Sequence, residues 1–537
     1  MVKSKKILFD LCLLTVLAFC TWFLYFLINY RGLVFPDAQH YASIARNIVR
    51  GDGYLVNLIS PATFTCMGEN VFNSSSNPLL LPYLLALFYK IGGVSGQISA
   101  LSSGLFFVIS VFPLYFLSGK LFGRLTAITA SAIYIFEPTL LEFSISGLTE
   151  PVFIFFLLTA FLFLVFFIED GKVYCGFLSG VFMGLCRLTR FNAGVFIVLV
   201  IVALFLFVKE RRFKAIALFG LGIILVHIPE FVSTLSNNTR SLAMGLINYT
   251  AIDGTEQYPA FTITRIIDLP SSWEYITTFP KHFMGKYFHN MFFYFRHFFA
   301  MANPFIIALF TVNLMSLGSC RVSRIILIVL GLSIVTQAIL LSYVVSVIRY
   351  LYIFIPFIII FGVGYFFKQI YPIVASRARK VVAFLLVLLF LLPTTDLYNS
   401  CLRNYGLLFR GYKSKEAVMV EQQKAMGDFI KINTKKDDFI ATDYTSIAWY
   451  ADRKTLELPI SFRVLETIDS KYKKVDALLV TSESDIKDIS KLTGVAKQLV
   501  EWKAVLSDPP KELGKFILAD RGEIKGERFV FYKKKES

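Results

Sequence analysis

Residues 150–168 read Glu150-Pro151-Val152-Phe153-Ile154-Phe155-Phe156-Leu157-Leu158-Thr159-Ala160-Phe161-Leu162-Phe163-Leu164-Val165-Phe166-Phe167-Ile168. After the opening glutamate the run carries no charge, over a length close to the ~20 residues that cross a bilayer as a helix. The rest of the chain has the same character. Of 537 residues 56% are hydrophobic, and 56 Phe with 26 Tyr exceed what a soluble core could hide. The sequence therefore reads as a polytopic α-helical membrane protein.

Working outward, comparable runs occur at Ile7 to Ile28, Ile98 to Ser118, Leu125 to Phe143, Val173 to Leu188, Phe191 to Val208, Ala215 to Phe231, Asn290 to Leu314, Ile325 to Val345, Tyr350 to Phe367 and Val381 to Leu392. With Pro151 to Ile168 they predict about 11 transmembrane helices. The first run follows Lys3-Ser4-Lys5-Lys6, is long, and lacks a small-x-small cleavage site. It reads as a retained signal anchor with a cytoplasmic N-terminus, in a plasma or bacterial inner membrane.

Basic clusters then fall at alternate turns: Lys120 with Arg124, Lys172, Lys209 through Lys214, Arg321 with Arg324, and Lys368 with Arg377, Arg379 and Lys380. All lie on the cytoplasmic side provided that Pro78 to Tyr89, a proline-containing stretch of about a dozen residues, rests at the interface without crossing. The net charge of +17 is thus a matter of orientation and argues against a nucleic-acid partner. The seven cysteines form no C-x-x-C pair and have no neighbouring histidine, which points away from a zinc site or a disulfide scaffold.

Two long outer loops, 29–97 and 232–289, interrupt the membrane part, 1–395. Matches to N-x-Ser/Thr at Asn73, Asn237 and Asn248 are compatible with an outer location and are also frequent by chance. From about Asp396 the composition changes, and roughly half of the charged residues lie in this last quarter. An amphipathic helix, Lys415 to Lys431, is followed by strand-like runs Phe439 to Thr442, Ala477 to Val480, Phe516 to Ala519 and Arg528 to Tyr532. Residues 396–537 are accordingly expected to form a small extracytoplasmic α/β domain.

Candidate chemistry lies at the outer ends of the helices. After the first run comes Pro36-Asp37-Ala38-Gln39-His40-Tyr41-Ala42-Ser43-Ile44-Ala45-Arg46-Asn47, then Gly51-Asp52-Gly53-Tyr54. The spacing of Tyr41, Ile44, Ala45 and Ile48 predicts an interfacial helix headed by Asp37, whose carboxylate is either a mere N-cap or a functional acid. Glu150 opens its helix on the same side; a capping glutamate before Pro151 is the competing reading. Two acids at one face suggest a shared site. Arg187 and Arg190, in Leu185-Cys186-Arg187-Leu188-Thr189-Arg190-Phe191, and Arg349 in Ser346-Val347-Ile348-Arg349-Tyr350 break the positive-inside trend and call for anionic partners. A phosphate at the membrane surface suits a guanidinium; for Arg187, pairing with a nearby glutamate or a lipid headgroup is the simpler account.

The chain resembles the glycosyltransferase-C superfold, in the branch of protein O-mannosyltransferases and aminoarabinose transferases. The resemblance rests on Asp37 through Tyr54, Asn77-Pro78-Leu79-Leu80-Leu81-Pro82, Leu121-Phe122-Gly123-Arg124 leading to Thr149-Glu150-Pro151, Leu188-Thr189-Arg190, and Arg349-Tyr350 running to Pro356. It implies a sugar donor carried on a polyprenyl phosphate and a glycan, lipid or protein acceptor. It further implies Asp37 as general base in an inverting displacement, Glu150 as the second acid, and Arg190 and Arg349 at the donor phosphate. Arg187, His40, Tyr41 and Tyr54 complete the expected substrate contacts. Ala38 stands where some relatives carry a second acid, which weakens the case for a divalent metal, and no other cofactor is expected. Asn77 before Pro78 prevents borrowing the acceptor of the protein mannosyltransferases. Two other readings remain open: a transporter or flippase of lipid-linked saccharides, which would place ionisable groups near mid-membrane, and a non-catalytic subunit of a glycan assembly complex.

Overall fold

The computed structural model describes residues 2–67, 71–72, 79–208, 212–237, 250–259, 262–267, 270–317, 320–373, 378, 381, 415–482 and 493–535. Outside them lie all but the first residue of the run Val381 to Leu392, Asn77-Pro78, the sequons at Asn73 and Asn248, and the basic residues Lys209 to Arg211, Arg377, Arg379 and Lys380; of Asn237 only the backbone is described.

The N-terminal half folds as helices α1 (Val2–Asn29), α2 (Pro36–Arg50), α3 (Pro61–Met67), α4 (Leu80–Gly92), α5 (Gly96–Ile109), α6 (Val111–Phe122), α7 (Arg124–Phe136), α8 (Pro138–Ser144), α9 (Glu150–Asp170), α10 (Val173–Thr189), α11 (Ala193–Phe207) and α12 (Arg212–Asn237). The helices Pro280–Phe298, Pro304–Met315, Arg321–Val344 and Ile355–Tyr365 also belong to the bundle. Among the described residues six helices are long and apolar enough to cross a membrane, and five shorter ones are apolar.

Two predicted spans are interrupted by residues outside helical geometry. Leu125 to Phe143 divides into α7 and α8 because Pro138 excludes the preceding Glu137 from helical geometry, leaving it extended at ψ 116°. Asn290 to Leu314 divides into Pro280–Phe298 and Pro304–Met315, where the Asn303 side chain accepts from the Phe305 N–H and Pro304 opens the new helix. Pro78 to Tyr89 corresponds to α4, with Tyr83, Leu87 and Ile91 exposed along one side.

Charges gather at the two ends of the bundle. At one end Arg124 holds Asp10 through two bonds of 2.7 Å, Tyr115 donates to the same carboxylate, and Lys120 meets Asp170 at 2.8 Å. At the other end the chain builds a cap around one mixed sheet of order β1-β3-β2-β4-β7-β6-β5. Its strands are β1 (Leu58–Ile59), β2 (Phe439–Thr442), β3 (Lys454–Glu457), β4 (Ala477–Thr481), β5 (Glu512–Leu513), β6 (Phe516–Ile524) and β7 (Glu527–Lys534). The first four in sheet order pair in parallel, the remainder antiparallel. The edge strand β1 comes from the segment between α2 and α3, with Leu58 opposite Thr455 and Ile59 opposite Leu456.

Helix α2 joins bundle and cap. Its small residues Ala38, Ala42 and Ala45, at helical spacing, pack into the bundle core, while Ile44 packs into the core beneath the sheet. Buried Arg46 donates to the carbonyls of Trp449 (2.7 Å) and Ala448 (2.9 Å) and pairs with Asp452 at 2.8 Å. Gly51 ends α2 at φ 89°, its N–H turned back to the carbonyls of Asn47 and Ile48.

Candidate active site

Asp37 occupies the first turn of α2 behind Pro36, and the residue at the N-cap position is Phe35, which makes no side-chain cap. The capping reading therefore fails. The carboxylate instead meets Arg349 Nη2 through Oδ2 at 2.5 Å, across more than half of the chain. Arg349 stands in a tight 3-10 segment, Ile348–Phe354, where its Nε also reaches Glu150 Oε1 at 3.2 Å.

Glu150 is the first residue of α9 and has no exposed surface. Its Oε1 receives a second guanidinium, Arg190 Nη1 at 2.6 Å, and Arg190 donates as well to Thr149 Oγ1 at 3.1 Å. A carboxylate at such depth needs this compensation, since an unpaired buried charge costs several kcal/mol. Tyr350 lies beside both cations, its ring centre 5.1 Å from the Arg190 guanidinium and 5.9 Å from that of Arg349. The result is a chain Asp37–Arg349–Glu150–Arg190 with two charges of each sign. Residues scattered over four segments thus share one site.

Beside Asp37 opens a cavity of about 200 Å³ lined by Pro36, Asp37, His40, Tyr41 and Leu58. Burial pushes the His40 imidazole down to about 4 against the opposing pull of Asp37, so it is neutral at physiological pH. Burial, then Asp37, push the Tyr41 hydroxyl well above its ordinary range; Arg190, Glu150 and Arg349 also act on it, which puts this phenol within reach of the whole charge chain.

Two expected contacts are not brought here. The Arg187 guanidinium stands over the Phe191 ring at 4.5 Å and feels the charge of Glu230, and it is not among the ion pairs that join Asp37, Arg349, Glu150 and Arg190. Tyr54 meets Tyr83 in a tilted ring pair at 5.9 Å and packs against the cap core, because α2 and its Gly51 turn carry the chain away from Asp37 before Tyr54 is reached. Sequence reasoning, for its part, gave no role to Leu58 or to Tyr294. The Tyr294 hydroxyl donates to the Val345 carbonyl and accepts from the Val347 N–H at 3.1 Å, fixing the turn that presents Arg349. No signal in the sequence ties Tyr294 to that turn. Among the described residues no three His, Cys, Asp or Glu side chains converge as a metal would require.

Residues 76–232, which include Glu150 and Arg190 but neither Asp37 nor Arg349, match the family model described as dolichyl-phosphate-mannose-protein mannosyltransferase. No curated protein sequence matches the chain. Among solved structures the chain is similar to ArnT from Cupriavidus metallidurans bound to undecaprenyl phosphate, at 11% identity and a TM-score of 0.61, over 97% of each chain. It is also similar to the oligosaccharyltransferase AglB from Archaeoglobus fulgidus in complex with an inhibitory peptide and a dolichol-phosphate: 15% identity, TM-score 0.55, over 90% of this chain and 71% of that one. The chain has the glycosyltransferase-C fold. It is an integral membrane protein, and within this glycosyltransferase-C fold the paired acids and arginines sit where the bundle meets the cap.

Proposed function

We propose that the protein is a membrane glycosyltransferase that moves one sugar from a polyprenyl-phosphate donor to an acceptor hydroxyl on the extracytoplasmic side. The observation that carries this reading is the convergence of Asp37, Arg349, Glu150 and Arg190 beside a cavity at the bundle–cap junction. The fold shared with ArnT and AglB and the family match over residues 76–232 support it.

In the proposed reaction Asp37 takes the proton of the acceptor hydroxyl. The freed oxygen attacks the anomeric carbon from the face opposite the phosphate, and the carbon–oxygen bond to phosphate breaks with its electron pair leaving on the lipid phosphate. Inversion follows from that single displacement. The arginines offset the charge that develops on the leaving phosphate, commonly a large part of an enzyme's rate enhancement. Glu150, enclosed beneath both guanidinium groups, is assigned to orienting them and not to proton transfer.

The resting ion pair has a mechanistic consequence. Arg349 Nη2 occupies Asp37, so in this scheme an incoming phosphate draws the guanidinium away and releases the carboxylate for the acceptor. Ionisable groups of the site stand at helix ends, which fits surface chemistry better than passage through the membrane.

The test is Asp37→Asn in purified, reconstituted protein assayed for transfer from polyprenyl-phosphate sugars. Turnover is expected to fall by ~10²-fold or more; wild-type turnover in the variant would remove Asp37 as base.

A further inference from the structure

The cavity beside Asp37 has a wall that the catalytic reading does not use. Leu58 is half-buried and belongs to β1, in which side chains alternate between faces. Its neighbour Ile59 is buried in the core beneath the sheet, so Leu58 projects the other way, into the cavity. Its position is held from three directions. Leu58 and Ile59 pair with Thr455 and Leu456 of β3, and the Thr455 N–H donates to the Asn57 carbonyl at 2.7 Å. Asn47 of α2 donates to the Leu55 carbonyl at 2.8 Å and to Asn57 Oδ1 at 2.9 Å. The Val56 N–H donates to the Phe72 carbonyl at 2.9 Å.

The lining has a definite chemistry. Pro36 and Leu58 supply apolar surface, His40 and Tyr41 supply polar edges on aromatic rings, and Asp37 is the one formal charge, already met by Arg349. Neutral His40 and the protonated phenol of Tyr41 add no charge at physiological pH. At about 200 Å³ the space falls below the ~300–1,000 Å³ of sites that hold drug-sized ligands. A single saturated ring with a C–H face and a hydroxyl rim matches these walls: the face lies on Leu58 and Pro36, and the rim meets Asp37, His40 and Tyr41.

We propose that this cavity is the acceptor subsite, that it takes one uncharged, hydroxyl-bearing sugar ring, and that Leu58, held by the cap's edge strand, sets the width of the ring it admits. The proposal rests on Asp37 being the base only for the name acceptor; the ring-binding claim stands by itself and is measured by binding, without turnover.

The experiment uses the full chain in lipid nanodiscs and saturation-transfer NMR with four probes: methyl α-D-glucopyranoside, its uronic acid, its 2-amino analogue, and an N-acetylated Ser-containing tripeptide amide. The neutral glycoside is expected to show saturation transfer that Leu58→Trp reduces at least tenfold, and Leu58→Ala is expected to admit a 6-O-benzyl glycoside that the wild type excludes. An unchanged unfolding midpoint for Leu58→Ala, and monodisperse elution of Leu58→Trp, separate pocket filling from misfolding. Equal binding of the uronic acid, the amino sugar or the peptide would overturn the assigned class. Neutral-sugar binding that survives Leu58→Trp in monodisperse protein, or the same acceptor range in Leu58→Ala, would overturn the role of Leu58. Should Asp37→Asn keep wild-type turnover while the neutral ring still binds, the base assignment falls and the ring subsite stands.

Discussion

Arg349 serves two acids at once, with Nη2 on Asp37 and Nε on Glu150. A lysine at this position keeps the charge and loses the planar fork that spans both carboxylates. Arg349→Lys is therefore expected to lower kcat/KM by ~10²–10³-fold, read by transfer assay. His40 gives the pH behaviour. Its folded value, about 4, lies below the ordinary 6.5, so the unfolded chain binds the extra proton more readily in that window. The contribution of neutral His40 to stability is complete above pH about 6.5 and is lost as pH falls toward about 4, at most ~3 kcal/mol. His40→Gln should flatten the unfolding midpoint against pH between those limits. Of these residues, Asp37, Glu150, Arg190 and Arg349 could be singled out in the sequence because charge at a helix end in membrane is costly. Their mutual pairing could not, since Asp37 and Arg349 lie 312 positions apart, at the start of α2 and near the last described span, and nothing local fixes that distance.

At the scale of elements, α10 and α12 approach through glycine. A Cβ on Gly180 would stand 2.0 Å from the Phe219 carbonyl oxygen, and one on Gly222 would stand 2.4 Å from that of Phe177. Backbone cannot yield as a side-chain tip can, so the two helices would have to part. Gly180→Val is expected to destabilise the bundle by ~1–3 kcal/mol, visible as a lower unfolding midpoint in detergent. Helix α2 gives a second case. Asp452 accepts Arg46 at 2.8 Å and Arg50 at 2.6 Å, from a left-handed backbone at φ 57° that asparagine also tolerates. Asp452→Asn isolates the charge: it should cost about 1–3 kcal/mol, largely by leaving buried Arg46 without its anion, and loosen the cap on α2. Faster hydrogen exchange at 447–452 would show it. Helix α2 was legible from its apolar spacing and its Gly51 stop. The splitting of two spans at Pro138 and Pro304 was signalled by the prolines but hidden by apolar sequence on both sides. The strands β1 and β3 were not legible, being too short to show alternation and defined by each other.

At the scale of the whole molecule, the apolar runs announce a bundle because composition alone decides what enters a bilayer, and the change in charge near Asp396 announces a water-facing part. What composition does not reveal is that the cap borrows a strand from the segment between α2 and α3, and that α2 is shared between the two cores. Asp10 with Arg124 at one end and Asp37 with Arg349 at the other show each face of the bundle neutralising its own charges, leaving the middle apolar.

The borrowed strand also sets a schedule for biosynthesis. Leu58 pairs opposite Thr455, 397 positions later (455 − 58). At ~5–20 residues per second a ribosome takes roughly 20–80 s to make that partner. Until then a newborn chain carries Leu58-Ile59 with no neighbour to zip against, however many spans have already been inserted. Competence at the pocket thus waits for a stretch made late, and a polypeptide terminated before Thr455 would lack the strand that holds the wall beside Asp37.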